Sequence, residues 1–190
     1  MTAMQVAERM TAEEFLAAGE QEHGWPVSLV GGEVVVNDPT IRHGAVQKAL
    51  VRALDDWVDA GRDRGLVTLP HDVRLDEANV FKPDVLWYSA GRAPDLSDLA
   101  PYPMPDLAVE IRSPSTWRYD VGAKKASYER NGLPELWLID TSAEAVLIFR
   151  RSQPRVPAFD IARELEQDGH ITSPLLPGLR FAVPELFPSQ

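Results

Sequence analysis

Apolar residues recur at helical spacing through Ile41, Ala45, Val46, Ala49, Leu50, Ala53, Leu54, Trp57 and Val58. One stripe of that period predicts an amphipathic helix from Thr40 to about Ala60. Upstream, Thr11-Ala-Glu-Glu14 has the spacing of a capping box, which predicts a short helix to about Gly19. Glu20 to Pro26 reads as a polar connector. Val27–Val30 and Glu33–Val36 flank Gly31-Gly32 and predict a hairpin. Leu66–Leu75 is strand-like, with Pro70 marking an edge or a bulge. Val80–Tyr88 and Leu107–Ile111 are the next strands, separated by a long proline-bearing loop from Ser89 to Met104. A helix from about Asp120 stops at Asn131-Gly132. Glu135–Asp140 and Ala145–Arg150 read as a second hairpin, followed by a strand near Phe159–Leu165 and a turn at Asp168-Gly169. The segment Leu175–Val183 is expected to pack across the sheet. The periodicity alone implies a mixed α/β chain with one domain over residues 1–190.

Two positions break the apolar runs. Asp84 precedes Val85 and Leu86, while Glu110 follows Leu107, Ala108 and Val109. A carboxylate in a buried strand carries a desolvation cost, and a metal, a cation or a reaction is the usual compensation. A salt-bridged strand residue is the plain alternative for either acid.

Composition narrows the chemistry. The chain has 190 residues, 44% hydrophobic and 25% charged, which is ordinary for a globular protein of this length. It has no cysteine, so disulfides, thiolate metal sites and a cysteine nucleophile are excluded. Met1–Ala18 does not read as a signal peptide and no apolar run reaches the ~20 residues of a membrane span, so a cytoplasmic protein is expected. His23, His43, His71 and His170 lack the i, i+4 spacing of a helical zinc site. Ser113 and Ser115 sit in a Ser-Pro-Ser turn with no Gly-x-Ser-x-Gly elbow, and no phosphate-binding glycine loop is present.

The pattern Pro83-Asp84, a gap, then Glu110-Ile111-Arg112 resembles the PD-(D/E)XK nuclease superfamily. The longer run from Glu110 through Asp120, Lys124 and Tyr128 to Gly132-Leu-Pro-Glu-Leu-Trp-Leu-Ile-Asp140 resembles the Uma-type restriction endonuclease family, over about Thr11 to Phe187. The resemblance implies a restriction-endonuclease-like α/β core, a central mixed β-sheet flanked by helices, with added N- and C-terminal strands. It implies a metal-dependent endonuclease acting on DNA, with Mg²⁺ (or Mn²⁺) held by Asp84, Glu110 and the Ile111 carbonyl. The superfamily lysine two residues after the Glu is replaced here by Arg112. Asp120, Lys124 and Tyr128 match the family's spacing on the following helix and share one face, so Lys124 is the expected working cation. Arg112 stays open as the rival, and Lys125 points about 100° away. Glu33 and His43 are peripheral candidates, with a solvated strand end and a capping histidine as their plain readings. Two symmetric active sites suit cleavage of a duplex, so a homodimer is expected.

The net charge of −10 opposes this partner, because an acidic field repels a polyanion. Arg112, Arg118, Lys124, Lys125 and Arg130 against Asp120 and Glu129 leave the segment around the site positive. Two alternatives therefore stand beside the endonuclease: a nuclease-fold binding module with weak or no turnover, and a hydrolase of smaller phosphoesters.

Overall fold

The computed structural model describes residues 9–23 and 27–187, with no side-chain description for 20–23. Part of the Met1–Ala18 segment and part of the Glu20–Pro26 connector lie outside the described residues. The chain runs α1 (Ala12–His23), β1 (Val27–Val30), β2 (Glu33–Val36), α2 (Ile41–Asp59), β3 (Leu66–Thr68), β4 (Val73–Asp76), β5 (Asn79–Phe81), β6 (Val85–Tyr88) and β7 (Leu107–Ile111). There follow α3 (Trp117–Tyr119), a π-helical segment (Asp120–Lys124), α4 (Lys125–Arg130), β8 (Glu135–Asp140), β9 (Ala145–Arg150), β10 (Ile161–Leu165), β11 (His170–Ser173), β12 (Leu176–Ala182) and a 3₁₀ turn (Val183–Leu186). Among the described residues, no helix is long and apolar enough to cross a membrane.

The central six-stranded sheet has the order β10-β9-β8-β7-β6-β3, with β7 and β8 parallel and the other pairs antiparallel. β7 is buried along its whole length because both faces are covered. Leu107, Val109 and Ile111 face a core built with Val46, Leu50, Leu54 and Trp57 of α2 and with Leu176, Leu179 and Phe181 of β12. Ala108 faces the other way, towards Tyr128 of α4, Leu136 and Leu138. Side chains alternate along a strand, so Glu110 belongs to the Tyr128 side.

A second, four-stranded sheet has the order β2-β1-β5-β4, and β11 and β12 form a hairpin of their own. The expected strand Val80–Tyr88 is two strands in two sheets, β5 and β6, broken at Lys82-Pro83-Asp84. Proline lacks the N–H that would continue a ladder, which suits it to the crossing point. The expected strand Leu66–Leu75 is likewise divided, with Pro70 in the gap between β3 and β4.

Several local expectations hold in detail. The Thr11 amide donates to Glu14 Oε2 at 2.8 Å and the Glu14 amide to Thr11 Oγ1 at 3.2 Å, closing the capping box. The helix does not stop at Gly19; its backbone breaks there, with φ 67° and ψ 178°, and a further turn runs to His23. Thr40 caps α2 through the His43 amide at 3.2 Å.

Glu135 opens β8 in the core, accepting from Trp137 Nε1 at 2.6 Å and from Ser173 Oγ at 2.7 Å. Burial pushes its carboxyl up, against the Ser173 and Trp137 bonds that pull it down. The fold therefore favours the neutral form. This group's stabilising contribution is whole below about 4.3, the ordinary glutamate value, and is lost as pH climbs through the raised folded value. Glu135→Gln keeps one acceptor and removes the charge. Thermal melts from pH 4 to 8 are expected to show a smaller decline for Glu135→Gln than for wild type, with the variant the more stable at pH 8.

Candidate active site

Asp84 and Glu110 meet because of strand register. β6 and β7 pair Val85 with Val109, and one further step sets Asp84 opposite Glu110. Asp84 lies just past the end of β6, where its side chain is free to turn. Its amide donates to the Val109 carbonyl at 2.9 Å, and its Oδ2 accepts from the Ile111 amide at 2.7 Å. Gln47 of α2 holds the Asp84 carbonyl from Nε2 at 2.7 Å. These three bonds fix the carboxylate and leave Oδ1 directed to His43.

His43 Nε2 stands 3.1 Å from Asp84 Oδ1, yet this buried nitrogen has no hydrogen-bond partner. The two observations agree if the oxygen lies off the axis of the ring nitrogen, since a bond needs alignment as well as proximity. His43 is thus more than a capping residue: its backbone satisfies the cap while its ring reaches Asp84.

Glu110 Oε1 accepts from Tyr128 Oη at 2.7 Å and lies 2.7 Å from Lys124 Nζ. Both contacts fall on one oxygen. Lys124 also donates to Asp120 Oδ1 at 3.0 Å, and Thr116 Oγ1 donates to Asp120 Oδ2 at 3.0 Å. Asp120 and Lys124 form a buried ion pair, with side chains 1% and 6% exposed. The π-helical segment spans these two residues, and such insertions recur at functional sites.

Burial pushes the Glu110 carboxyl up to about 8, against the pull of Lys124; Asp120 and Asp84 add to the rise. Burial also works to lower Lys124, but Asp120 and then Glu110 hold it above the ordinary lysine value, so it stays charged. Burial and the neighbouring Glu110 raise Tyr128 well above the usual phenol, which keeps its proton on the bond to Glu110.

Arg112 goes elsewhere. Its Nη1 donates to both oxygens of Asp140, at 2.9 and 2.8 Å, and its guanidinium lies 5.4 Å from the Trp117 ring centre. Of the two rival cations, Lys124 touches Glu110 and Arg112 does not. Lys125 faces away as expected but is not simply solvated, since its ammonium sits 4.6 Å from the centre of the Phe149 ring. Glu33 is exposed and accepts from Tyr119 Oη at 2.8 Å, outside the group around Asp84. Ile111 is tied to Asp84 through its amide. Among the described residues, no three His, Asp or Glu side chains gather into a ready ligand set, because Glu110 leans on Lys124 and Tyr128.

A cavity of about 350 Å³ opens onto Asp84, His43 and Lys124. It also exposes Lys82, a residue the sequence reading passed over. Lys82 is 4% exposed and 3.7 Å from Asp72. A signal was present, since Lys82 lies two residues before Asp84 in Lys-Pro-Asp. Gln47 and Thr116 carried no comparable signal; their roles are second contacts that only the packing creates.

The chain matches, over residues 12–184, the model of the Uma2 family, described as "putative restriction endonuclease". The chain belongs to the Uma2 family. A crystal structure of a "putative nuclease belonging to DUF820" from Anabaena variabilis ATCC 29413 superposes on this Uma2 protein with a TM-score of 0.77. The two are 22% identical, and the match covers 94% of this chain and 97% of the other. That likeness establishes a shared fold, and the central mixed sheet flanked by helices agrees with it. No curated protein matches the chain.

The buried cluster has a measurable cost when broken. Lys124→Met leaves Glu110 and Asp120 without their cation, and removing one partner of a buried pair costs about 3–5 kcal/mol. Urea unfolding at pH 7.5 is expected to show a loss of that order, and adding Glu110→Gln to Lys124→Met is expected to restore part of it.

Proposed function

We propose that this Uma2 protein is a divalent-metal-dependent endonuclease that hydrolyses DNA phosphodiester bonds. The observation that supports it most is the pairing of Asp84 and Glu110 across one register step, with Lys124 2.7 Å from Glu110 and His43 Nε2 3.1 Å from Asp84. A hard divalent cation suits this donor set, because Mg²⁺ keeps several waters and needs only one or two carboxylates. Asp84, Glu110 and the Ile111 carbonyl are the proposed ligands, and His43 Nε2 is a further donor. Imidazole favours Mn²⁺ over Mg²⁺ more than carboxylate does, so the site leans towards Mn²⁺. When bound, the ion supplies a Lewis acid for a phosphoryl oxygen and makes water a better nucleophile at neutral pH.

The remaining chemistry belongs to the side chains. Lys124 stays charged beside Glu110 and offers a fixed positive centre to a phosphoryl oxygen as negative charge grows there. Tyr128 holds Glu110 in one orientation, and the Ile111 amide does the same for Asp84. Asp120 and Thr116 keep Lys124 from turning away. Arg112, committed to Asp140, serves the loop after β7 and is not assigned a part in the reaction.

Three measurements test this reading. Single-stranded DNA incubated with Mn²⁺ is expected to be cut by wild type and left intact by Glu110→Ala. Lys124→Ala, studied at a temperature where it is folded, is expected to lose about 100-fold or more in rate while titrating Mn²⁺ by calorimetry; Arg112→Ala is expected to keep cutting. Equal Mn²⁺ binding by wild type and the Asp84→Asn, Glu110→Gln double variant ends the assignment of ligands. His43→Ala is expected to weaken Mn²⁺ more than Mg²⁺.

A two-fold homodimer is the proposed assembly, since closed two-fold pairs are the commonest oligomers. Leu96 and Leu99 in the loop after β6 are 91% and 87% exposed and are its candidate contacts. Light scattering at tens of micromolar, far above a useful dissociation constant of roughly 1 μM, is expected to give twice the chain mass.

A further inference from the structure

The side chains assigned to the reaction are all deep. Asp84 is 7% exposed, Glu110 4%, Lys124 6% and His43 4%. The cavity of about 350 Å³ leads to Asp84, His43 and Lys124. Its walls are Val27, Val30 and Val35 of the β1–β2 hairpin on one side and Leu69-Pro70 on the other. This is the size and character of a site for one small molecule, apolar walls with a few polar groups at the end. It is unlike the shallow basic track that follows a duplex backbone.

One polar group in the cavity is unspent: Asn37 Oδ1 is buried, lines the cavity and has no hydrogen-bond partner among the described residues. His43 Nε2 also lines it, 3.1 Å from Asp84 Oδ1 but without an aligned hydrogen bond. Lys82 and Lys124 stand near Asp84 as well, so positive charge and carboxylate share the polar end. The rest of the chain is acidic, with a net charge of −10, and gives little help to a protein that must neutralise many phosphates at once.

We propose that the cavity receives a single unstacked nucleotide, so that the substrate is DNA with an unpaired nucleotide, in a single strand or at a defect, and not fully paired duplex. The inference rests on the nuclease reading above and names its substrate. A phosphate in an intact duplex is flanked by stacked, paired neighbours and cannot reach groups at the end of a cavity of this size. A nucleotide rotated out of the stack can, at an unstacking cost that is least where the base is already unpaired. The phosphate then meets Lys124 and Lys82, the base lies against Val30, Val35 and Leu69, and Asn37 Oδ1 accepts from a base N–H. Apolar walls tolerate any base, so the grip is on the unstacked state more than on sequence.

Gly44 gives the means to test it. It lines the cavity from the first turn of α2, and a Cβ built there meets nothing within 4 Å. Gly44 is exposed at the cavity's edge, so Gly44→Leu sets an apolar side chain at its mouth, and helix propensity favours leucine over glycine. Fluorescein-labelled 20-mers are compared by anisotropy with Ca²⁺ present: a single strand, its fully paired duplex, and the duplex carrying one bulged nucleotide. Wild type is expected to bind the single strand and the bulged duplex at least tenfold more tightly than the paired duplex. Gly44→Leu is expected to lose that preference while melting no lower than wild type and titrating Mn²⁺ equally.

Equal binding of paired duplex and single strand by wild type overturns the proposal, whether or not the variant folds. So does a folded Gly44→Leu that binds the single strand as wild type does, or binding of deoxyadenosine monophosphate with no oligonucleotide bound. Because the readout is binding, the two readings fail separately. Preference for the single strand with no cleavage of any DNA sinks the nuclease and keeps the pocket, whereas cutting of paired duplex without preference does the reverse.

Discussion

Glu110 is buried in the middle of the sheet, and much of the structure around it answers that burial. β7 is covered on both faces, so a carboxylate there must be compensated from within. Lys124 supplies the charge and Tyr128 a hydrogen bond. Asp120 and Thr116 then hold Lys124. A bare apolar residue at position 110 would serve stability as well or better. The acid is kept instead with two direct partners, Lys124 and Tyr128.

The same burial explains the local irregularities. A π-helical segment spans the five residues that carry the Asp120–Lys124 ion pair. Likewise the break at Lys82-Pro83-Asp84 lets one run of apolar sequence serve two sheets. Asp84 falls at the crossing, outside a continuous ladder, and its side chain can turn towards Ile111 and His43. Irregular backbone sits where the polar groups need it.

Acidity and a deep site are two sides of one arrangement. A chain with net charge −10 cannot rely on a broad electrostatic field to collect DNA. Its positive charge near Asp84 is confined to side chains that line or border a closed cavity, each already facing a carboxylate: Lys124 with Glu110, Lys82 with Asp72. Such an arrangement favours a ligand that enters over one that is wrapped.

The sequence by itself determined the elements whose signals are local. The capping box at Thr11 and Glu14, the Gly31-Gly32 hairpin, the long stripe of α2 and the continuous apolar run of β7 are set by residues within a few positions of one another. The candidate acids were legible as interruptions of such runs, and the family spacing from Glu110 to Tyr128 marked Lys124. Tertiary structure decided what depended on distant partners. The division of Val80–Tyr88 between two sheets followed from which neighbours β5 and β6 found, a matter of pairing across the chain. That Lys124 and not Arg112 contacts Glu110 turned on Asp140, whose position beside Arg112 is fixed by the parallel pairing of β7 with β8. Asn37, Gly44, Gln47 and Lys82 became site residues only when the hairpin, α2 and the Lys-Pro-Asp crossing closed around one space. A cavity is a property of packed surfaces, and no window of sequence contains both of its walls.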